Sequence, residues 1–227
     1  MILKAEGISK RFLRNTSTSN FSYAVNKTDI ILSAGKLTAV IGKSGSGKST
    51  FLSMLAGLLV PTEGKVFYDD KDIYALKDKD LSKLRNKEVG IIPQGQAYLP
   101  SLTVLENVML PCRMYASKGE EEKTRQKALE LLESLDIATL ANVYPSELSG
   151  GECRRLSIAR AFIRETGIIL ADEPTADLDE ENTEIVLKAL RSAADKNKTV
   201  LLVTHEKDAL TYADDIYNMK SGTLSKQ

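Results

Sequence analysis

Short apolar runs alternate with helical patterns along the first and last parts of the chain. Because these runs are only four or five residues long and carry no polar alternation, they are typical of strands buried on both faces. Such strands alternating with helices predict an α/β fold with a mainly parallel sheet. The predicted strands are residues 37–41, 89–92, 168–171 and 199–203.

Two helices are predicted between these strands. The first covers residues 48–57 and is stopped by Gly57 and then Pro61. The second covers residues 181–195, and its apolar positions fall on one face with i, i+3, i+4, i+7 spacing. The residues expected on that face are Val186, Ala189, Leu190 and Ala193.

The middle of the chain, residues 98–164, has helical patterns and no strand pattern. Helices are predicted over 104–114 and 124–135, and a third begins after Gly151. The second is expected to bury Ala128, Leu131, Leu132 and Leu135. We therefore expect residues 95–164 to form a helical subdomain inserted into an α/β core of residues 1–94 and 165–227. The polar stretch 15–20 is predicted to be a loop.

Composition narrows the classes of function. The chain has 227 residues, with 31 Lys+Arg against 31 Asp+Glu, so its formal charge is zero. This balance gives no sign of a nucleic-acid partner. The two cysteines, Cys112 and Cys153, have no metal-site spacing and are expected to be reduced thiols in a cytosolic protein. Neither a signal peptide nor an apolar run of membrane-spanning length is recognisable.

Residues 42–49, Gly-Lys-Ser-Gly-Ser-Gly-Lys-Ser, fit the P-loop pattern between a predicted strand and a predicted helix. In such a loop the backbone amides and the helix N-terminus face phosphate oxygens. Lys48 is expected to contact the β and γ phosphates, and Ser49 to ligate Mg²⁺. The strand and helix on either side disfavour the alternative, a glycine-rich turn that binds nothing. The expected nucleotide-binding residues here are Gly42, Ser44, Gly45, Ser46, Gly47, Lys48, Ser49 and Thr50.

Two carboxylates, Asp172 and Glu173, follow the apolar run 168–171. The carboxyl end of a parallel strand is where ligands bind in α/β sheets. Asp172 would hold Mg²⁺, and Glu173 would accept a proton from an attacking water. Adjacent acids are also common on protein surfaces, so these two gain their meaning from the apolar run and the P-loop.

The chain's one histidine, His205, follows a third predicted strand. A lone histidine is often incidental. At this sheet edge, however, neutral imidazole would be placed to hydrogen-bond a γ-phosphate or a water. Both interpretations stay open on position alone.

Residues 148–152, Leu-Ser-Gly-Gly-Glu, precede the third helix of the middle region. Ser149 and Glu152 have the spacing of a capping box, which would satisfy the free amides of the helix. The hydroxyl of Ser149 and the amides of Gly150 and Gly151 would also suit an anion. The two interpretations are compatible, and the residues alone do not explain why one chain needs two phosphate sites.

The order of these motifs resembles the ATPase subunit of ATP-binding cassette (ABC) systems over nearly the whole chain. The resemblance rests on the P-loop, Gln94, the Leu-Ser-Gly-Gly-Glu motif, residues 172–175 (Asp-Glu-Pro-Thr), Leu178-Asp179 and His205. It implies one ABC ATPase domain over residues 1–227: a P-loop NTPase core with a mainly parallel sheet, a small antiparallel β part at the N-terminus and the inserted helical subdomain. It also implies ATP and Mg²⁺ as cofactors.

The resemblance also assigns roles. Two such domains pair head to tail, so that Ser149, Gly150 and Gly151 contact the γ-phosphate held by the partner's P-loop. Gln94 would contact Mg²⁺ or water and relay the state to a membrane partner. Asp179 would lie in the loop that crosses the dimer interface. Phe12 occupies the position of an aromatic residue that stacks on adenine.

Residues 99–108 and 144–147 are similar to the macrolide-export, lipoprotein-release and bacitracin-resistance branch. This implies a homodimer at the cytoplasmic face of the membrane that energises a separate permease, for export of a drug, peptide or lipid-like substrate. The main alternative is an ATPase that gates a non-transporting membrane complex. A soluble ABC protein of translation or DNA repair and an ATP sensor without turnover are further alternatives.

Overall fold

The computed structural model describes residues 1–15, 20–95, 97–115 and 120–227 of the chain. Four of the six residues of the polar stretch 15–20, namely 16–19, lie outside this described part, so the predicted loop there stays a prediction. All the predicted site residues lie within it.

The larger of two sheets has six strands in the order β10-β9-β3-β8-β7-β6. Its strands from β9 to β6 are parallel, and β10 is antiparallel at one edge. This confirms the predicted α/β class with a mainly parallel sheet. The strands are β3 (Leu37–Ile41), β6 (Val89–Ile92), β7 (Ile168–Asp172), β8 (Thr199–Thr204), β9 (Asp215–Lys220) and β10 (Thr223–Lys226).

The central strands of this sheet end almost flush with one another. Ile41 of β3 pairs with Thr204 of β8, and Asp172 of β7 pairs with Val203 of β8. Neighbouring parallel strands lie about 4.8 Å apart. The loops after β3, β8 and β7 therefore emerge side by side at one edge of the sheet.

The second sheet is antiparallel and includes the N-terminal strands, in the order β2-β1-β4-β5. Its strands are β1 (Leu3–Asn15), β2 (Asn20–Leu32), β4 (Glu63–Tyr68) and β5 (Lys71–Asp72). This is the small antiparallel part that the resemblance implied. The pairing of β1 with β2 has several register shifts, and the apolar side chains of Phe12, Leu13 and Phe21 near the outer ends of these strands are exposed.

Helices surround the larger sheet. They are α1 (Lys48–Leu55), α2 (Asp78–Glu88), α3 (Val104–Arg113), α4 (Glu121–Ser134), α5 (Gly150–Phe162) and α6 (Glu180–Asp195). Helices α3 to α5 follow one another between β6 and β7, as the helical pattern predicts. Helix α4 begins earlier than residue 124, because the charged residues before it add a first turn that apolar periodicity does not reveal.

Two apolar cores lie on opposite faces of the larger sheet. Ile169 and Ala171 of β7 pack into the core formed with α3 to α6. Ile168 and Leu170 of the same strand pack into the core formed with α1 and the antiparallel sheet. This alternation explains why β7 is apolar without interruption, since both of its faces are covered.

The predicted helix faces are largely right. Val186, Leu190 and Ala193 are buried, as are Ala128, Leu132 and Leu135. Ala189 and Leu131 are only partly buried, although they pack against the same core. Leu187 is buried and was not predicted. The apolar face of α6 is thus wider than the i, i+3, i+4 series alone indicates.

Candidate active site

The P-loop forms the turn between β3 and α1. Gly45 and Gly47 have φ of +75° and +104°, and Gly47 caps the helix. A β-carbon at Gly47 would lie 2.1 Å from the carbonyl oxygen of Ala24, so only glycine fits. The hydroxyl of Ser46 is buried without a partner among the described residues. An unpaired buried hydroxyl inside this cradle of amides suits a bound polar ligand.

Backbone hydrogen bonds from a turn outside the motif hold the P-loop in place. The amide of Gly222, in the turn between β9 and β10, donates to the carbonyl of Ser46 at 2.9 Å. The same glycine accepts from the amide of Asn26 on β2 at 2.8 Å. Sequence analysis missed this brace because a turn glycine carries no chemical signal of its own.

Lys48 points its ammonium back across the loop. It donates to the carbonyl of Gly42 at 2.8 Å and lies 3.1 Å from Oε1 of Glu173. Both side chains of this ion pair are almost completely buried, with 6% and 7% exposed. Lys48, predicted to contact phosphate, and Glu173, predicted to be the base, therefore form an ion pair.

Ser49 and Asp172 meet beside this pair. The Ser49 hydroxyl donates to Oδ1 of Asp172 at 3.1 Å. Burial raises the pKa of Asp172, which the hydrogen bond from Ser49 partly offsets. The described residues contain no group of three or more His, Cys, Asp or Glu arranged around a metal. One hydroxyl and one carboxylate fit Mg²⁺, which usually takes few protein ligands and keeps water and phosphate oxygens.

Glu173 links the tips of two strands. Its Oε2 lies 2.8 Å from Nδ1 of His205 and also accepts the His205 amide at 3.2 Å. Its own amide donates to the carbonyl of Val203 at 2.9 Å. Glu173 has φ of +47°, a region that non-glycine residues rarely occupy and that occurs at functional sites. The structure thus brings His205 into the cluster that its position suggested.

A second link between these tips was not predicted. The buried hydroxyl of Thr175 donates to the carboxylate of Glu206, and the Glu206 amide donates to Oγ1 of Thr204 at 3.0 Å. These bonds tie the loop after Glu173 to the residue that follows His205. Glu206 carried no signal in the sequence beyond its place next to the histidine.

Gln94 lies exposed at the end of β6, the strand beside β7. Its backbone carbonyl, together with that of Pro93, accepts hydrogen bonds from Arg154 on α5. Gln94 therefore lies at the same edge of the sheet as Asp172 and Glu173. Its role toward Mg²⁺ or water stays a prediction.

The Leu-Ser-Gly-Gly-Glu motif forms the predicted capping box at the start of α5. The carboxylate of Glu152 accepts from the amide and hydroxyl of Ser149 at 2.7 and 2.8 Å. In return the Glu152 amide donates to Oγ of Ser149 at 3.3 Å. The hydrogen bonds from Ser149 lower the pKa of Glu152. Gly150 has open space on its surface side, so the helix start is accessible.

Asp179 caps α6 through the amide and side chain of Asn182, at 2.8 and 2.7 Å. Asn182 in turn accepts from Arg155 on α5 and lies close to Gly151. The hydrogen bonds with Asn182 lower the pKa of Asp179. Within one chain, the loop of Asp179 is thus connected to the start of α5.

Two surface features bear on nucleotide binding, namely an exposed aromatic side chain and a pocket beside the P-loop. Phe12 has 46% of its surface exposed, and the Lys10 ammonium lies 5.5 Å from its ring centre. A pocket of about 660 Å³ is lined by the P-loop, His205, Lys207 and residues 218–221. Among the described residues that form its walls, none belongs to the motif at 148–152. A second cavity, of about 860 Å³, lies between the C-terminal end of α3 and the start of α4.

The P-loop lies beside a buried acid pair and a histidine, and the Ser-Gly-Gly helix start lies apart from its pocket. Residues 25–176 match the family model described as "ABC transporter". The chain belongs to the ABC transporter family. Within this family it is an ATP-binding subunit and an ABC ATPase.

Several proteins similar to this ABC cassette match it over almost its full length. It is 38% identical to the lipoprotein-releasing system ATP-binding protein LolD of Treponema denticola, covering 99% of this chain and 98% of that protein. The dimeric structure of MJ0796, a bacterial ABC transporter cassette, matches with a TM-score of 0.90 and 34% identity, covering 99% and 98% of the two chains. A post-hydrolysis structure of MJ0796 bound to ADP and Pi matches equally well.

No helix in the described part of this ABC cassette has the length and apolar character needed to cross a membrane.

Proposed function

We propose that two copies of this chain hydrolyse MgATP at shared sites and thereby drive a separate membrane permease that exports a lipid-modified protein or a similar amphipathic substrate. The observation that carries the proposal is the meeting of Lys48, Glu173 and His205 within hydrogen-bond distance at one sheet edge. The roles proposed for the other residues follow from their positions around these three side chains.

The nucleotide would be held by the P-loop amides and Lys48. The buried hydroxyl of Ser46 would gain a phosphate partner, and Thr50 follows Ser49 in the first turn of α1. Phe12, exposed on β1, would stack on the adenine ring. Mg²⁺ would be held by Ser49, Asp172 and Gln94, and would supply neutralising charge to the phosphates.

Glu173 would accept the proton of the attacking water. Its ion pair with Lys48 and its bonds to His205 hold the carboxylate at the tips of these strands. His205 lines the pocket beside the P-loop, so its ring would contact a phosphate there while Nδ1 stays on Glu173. The two neighbouring acids thus serve different purposes, one toward Mg²⁺ and one toward water.

The second copy would complete each site. The walls of the pocket beside the P-loop contain no described residue of the motif at 148–152, and that motif is exposed at a helix start. Ser149, Gly150 and Gly151 of one copy would contact the γ-phosphate bound by the other. Asp179, at the start of α6, would lie in the interface. The dimeric structure of MJ0796 supports this assignment.

We propose the permease as the partner, and with it a location of the chain at the cytoplasmic face of the membrane. LolD is named as part of a lipoprotein-releasing system, which favours transport over a purely gating role. We propose that residues 95–164 move as a subdomain during closure. The groove of about 860 Å³ between α3 and α4, with Met109 and Ile163 among charged residues, would seat a permease segment.

A mixing experiment tests the shared site. Lys48→Ala disables the P-loop, and Ser149→Arg blocks the start of α5. Each variant alone is expected to lack ATPase activity. When the two are mixed, the mixed dimer has one intact site, made by Lys48 of one copy and Ser149 of the other. Activity that appears only in the mixture supports the proposal, whereas a mixture as inactive as its components contradicts it. Each variant's melting temperature controls for misfolding.

A further inference from the structure

Arg154 on α5 is hydrogen-bonded to the backbone of the loop that contains Gln94. Its Nη1 donates to the carbonyl of Pro93 at 2.8 Å, and its Nη2 donates to the carbonyl of Gln94 at 3.0 Å. Both terminal nitrogens of one guanidinium are therefore bound to two consecutive carbonyls. Neither the P-loop nor the capping-box motif includes this arginine.

This geometry restricts the backbone of Gln94. A guanidinium is a rigid planar fork, so two bonds from it fix the orientation of the acceptors as well as their distance. Pro93 restricts the same stretch, because its ring fixes φ. With the carbonyls on both sides of its α-carbon held, Gln94 has little freedom in the direction of its side chain.

A second arginine of α5 holds the far side of the loop. Arg160 donates from Nη1 to the carbonyl of Ala97. Arg154 and Arg160 belong to one helix, which begins at the Ser149 capping box. The start of α5 and the loop of Gln94 are thus connected through two side chains and one rigid element.

Burial and nearby carboxylates act on the pKa of Arg154 in opposite directions. The arginine is half-buried, and burial lowers its pKa, while the charges of Asp177 and Asp172 act to raise it. An uncharged side chain at this position would leave two backbone carbonyls without a charged donor. It would also remove a positive charge near the acid predicted to hold Mg²⁺.

We propose that Arg154 is a positioning residue that fixes the Gln94 loop to α5, so that a displacement of the Ser149 end of the helix moves Gln94. This inference rests on the proposed function for the role of Gln94. It adds a route within one chain from the surface proposed to contact the second copy to Gln94, the residue proposed to help hold Mg²⁺.

The first test needs no catalytic activity. Hydrogen exchange of the amides in residues 94–98 is measured on the full chain for wild type, Arg154→Met, Arg154→Lys and Arg125→Met. Arg125 is the matched control, because it lies exposed on α4 and outside the site. We expect exchange in this segment to be about tenfold faster in Arg154→Met, since the loop loses two bonds to a charged donor. Arg154→Lys is expected to fall between it and wild type, because lysine keeps the charge without the fork.

Exchange in Arg154→Met that equals wild type overturns the proposal. An increase spread over the whole of α5 does so too, since it would show a helix that has lost stability rather than a released loop. An equal increase in Arg125→Met would mean that the effect is not specific to this contact.

The second test is a double-mutant cycle of Arg154→Met with Gln94→Ala, read as kcat and KM for MgATP. If Arg154 acts through Gln94, kcat falls about tenfold in each single variant, KM changes little, and the double variant is no worse than Gln94→Ala. Additive losses would show that Arg154 acts by another route and overturn the coupling. If Gln94→Ala alone has wild-type turnover, the proposed role of Gln94 fails, and hydrogen exchange still decides whether Arg154 holds the loop.

Discussion

The ammonium of Lys48 and the carboxylate of Glu173 form a buried ion pair, with 3.1 Å between Nζ and Oε1. Lys48 is also bound to the carbonyl of Gly42, so most of its donors are engaged. A phosphate oxygen that binds Lys48 therefore competes with Glu173 for the same positive charge. This makes Glu173 relevant to nucleotide affinity as well as to proton transfer.

Glu173→Gln is expected to lower ATP turnover by about a hundredfold or more, because an amide cannot accept the proton of water. ATP binding is expected to persist or tighten, since a neutral amide no longer competes for Lys48. The variant alone should melt at a lower temperature, because removing one partner leaves a buried charge unpaired. ATP should then raise its melting temperature more than that of wild type.

Calorimetry with and without ATP, beside a turnover assay, measures these effects. Glu133→Gln, an exposed change on α4, is the matched control and should behave as wild type. Wild-type turnover in Glu173→Gln would show that the proton acceptor has been assigned wrongly.

Alanine substitutions at two P-loop glycines are expected to differ sharply. At Gly45 an added β-carbon meets nothing, so only its φ of +75° is unfavourable, and the cost is about 1 kcal/mol. At Gly47 the added carbon would lie 2.1 Å from the Ala24 carbonyl oxygen, so the loop must move, at a cost of about 3 kcal/mol or more. Urea denaturation measures both, and equal losses would argue against the tight contact with β2.

Removal of the proposed Mg²⁺ ligands is expected to uncouple ATP binding from Mg²⁺. In wild type, chelation by EDTA should weaken ATP binding. In Asp172→Asn, Mg²⁺ should strengthen ATP binding at least about tenfold less, because a carboxylate ligand is lost. Titration calorimetry with and without Mg²⁺ gives the comparison, with the exposed Asp70→Asn as control. An Asp172→Asn variant with full Mg²⁺ stimulation would remove Asp172 from the metal site.

His205→Ala is expected to leave the fold intact, because the side chain is 58% exposed and surface changes usually alter stability by about 0.5 kcal/mol or less. Turnover should fall about tenfold to a hundredfold, since Glu173 loses the contact that orients it. Single-turnover rates separate this from slow product release. A rate in His205→Ala equal to that of wild type would return the histidine to the incidental interpretation.

Much of the fold could be predicted because it depends on local patterns. Strands β3, β6, β7 and β8 agree with prediction to within a residue at each end, since strands buried on both faces are apolar without interruption. The capping box of Ser149 could also be predicted, because its hydrogen bonds join residues that are only three apart in the sequence. Helix α4 was predicted less well at its charged start.

The contacts that sequence reasoning missed join distant segments through ordinary residues. Gly222 braces the P-loop, Glu206 holds Thr175, and Arg154 holds the Gln94 loop. None of these residues forms a local motif that would give it a chemical role. Each gains its role only from what the fold places opposite it.

The sequence by itself determined the strand–loop–helix of the P-loop, the two acids at the end of β7 and the helix start at Ser149, because each depends on neighbouring residues and on backbone geometry within one turn. Only the tertiary structure decided that Lys48, Glu173 and His205 meet. That meeting depends on the strand order β3-β8-β7 and on strand ends that are nearly flush. Strand order is set by how two apolar cores pack against the whole sheet, and no local pattern records it.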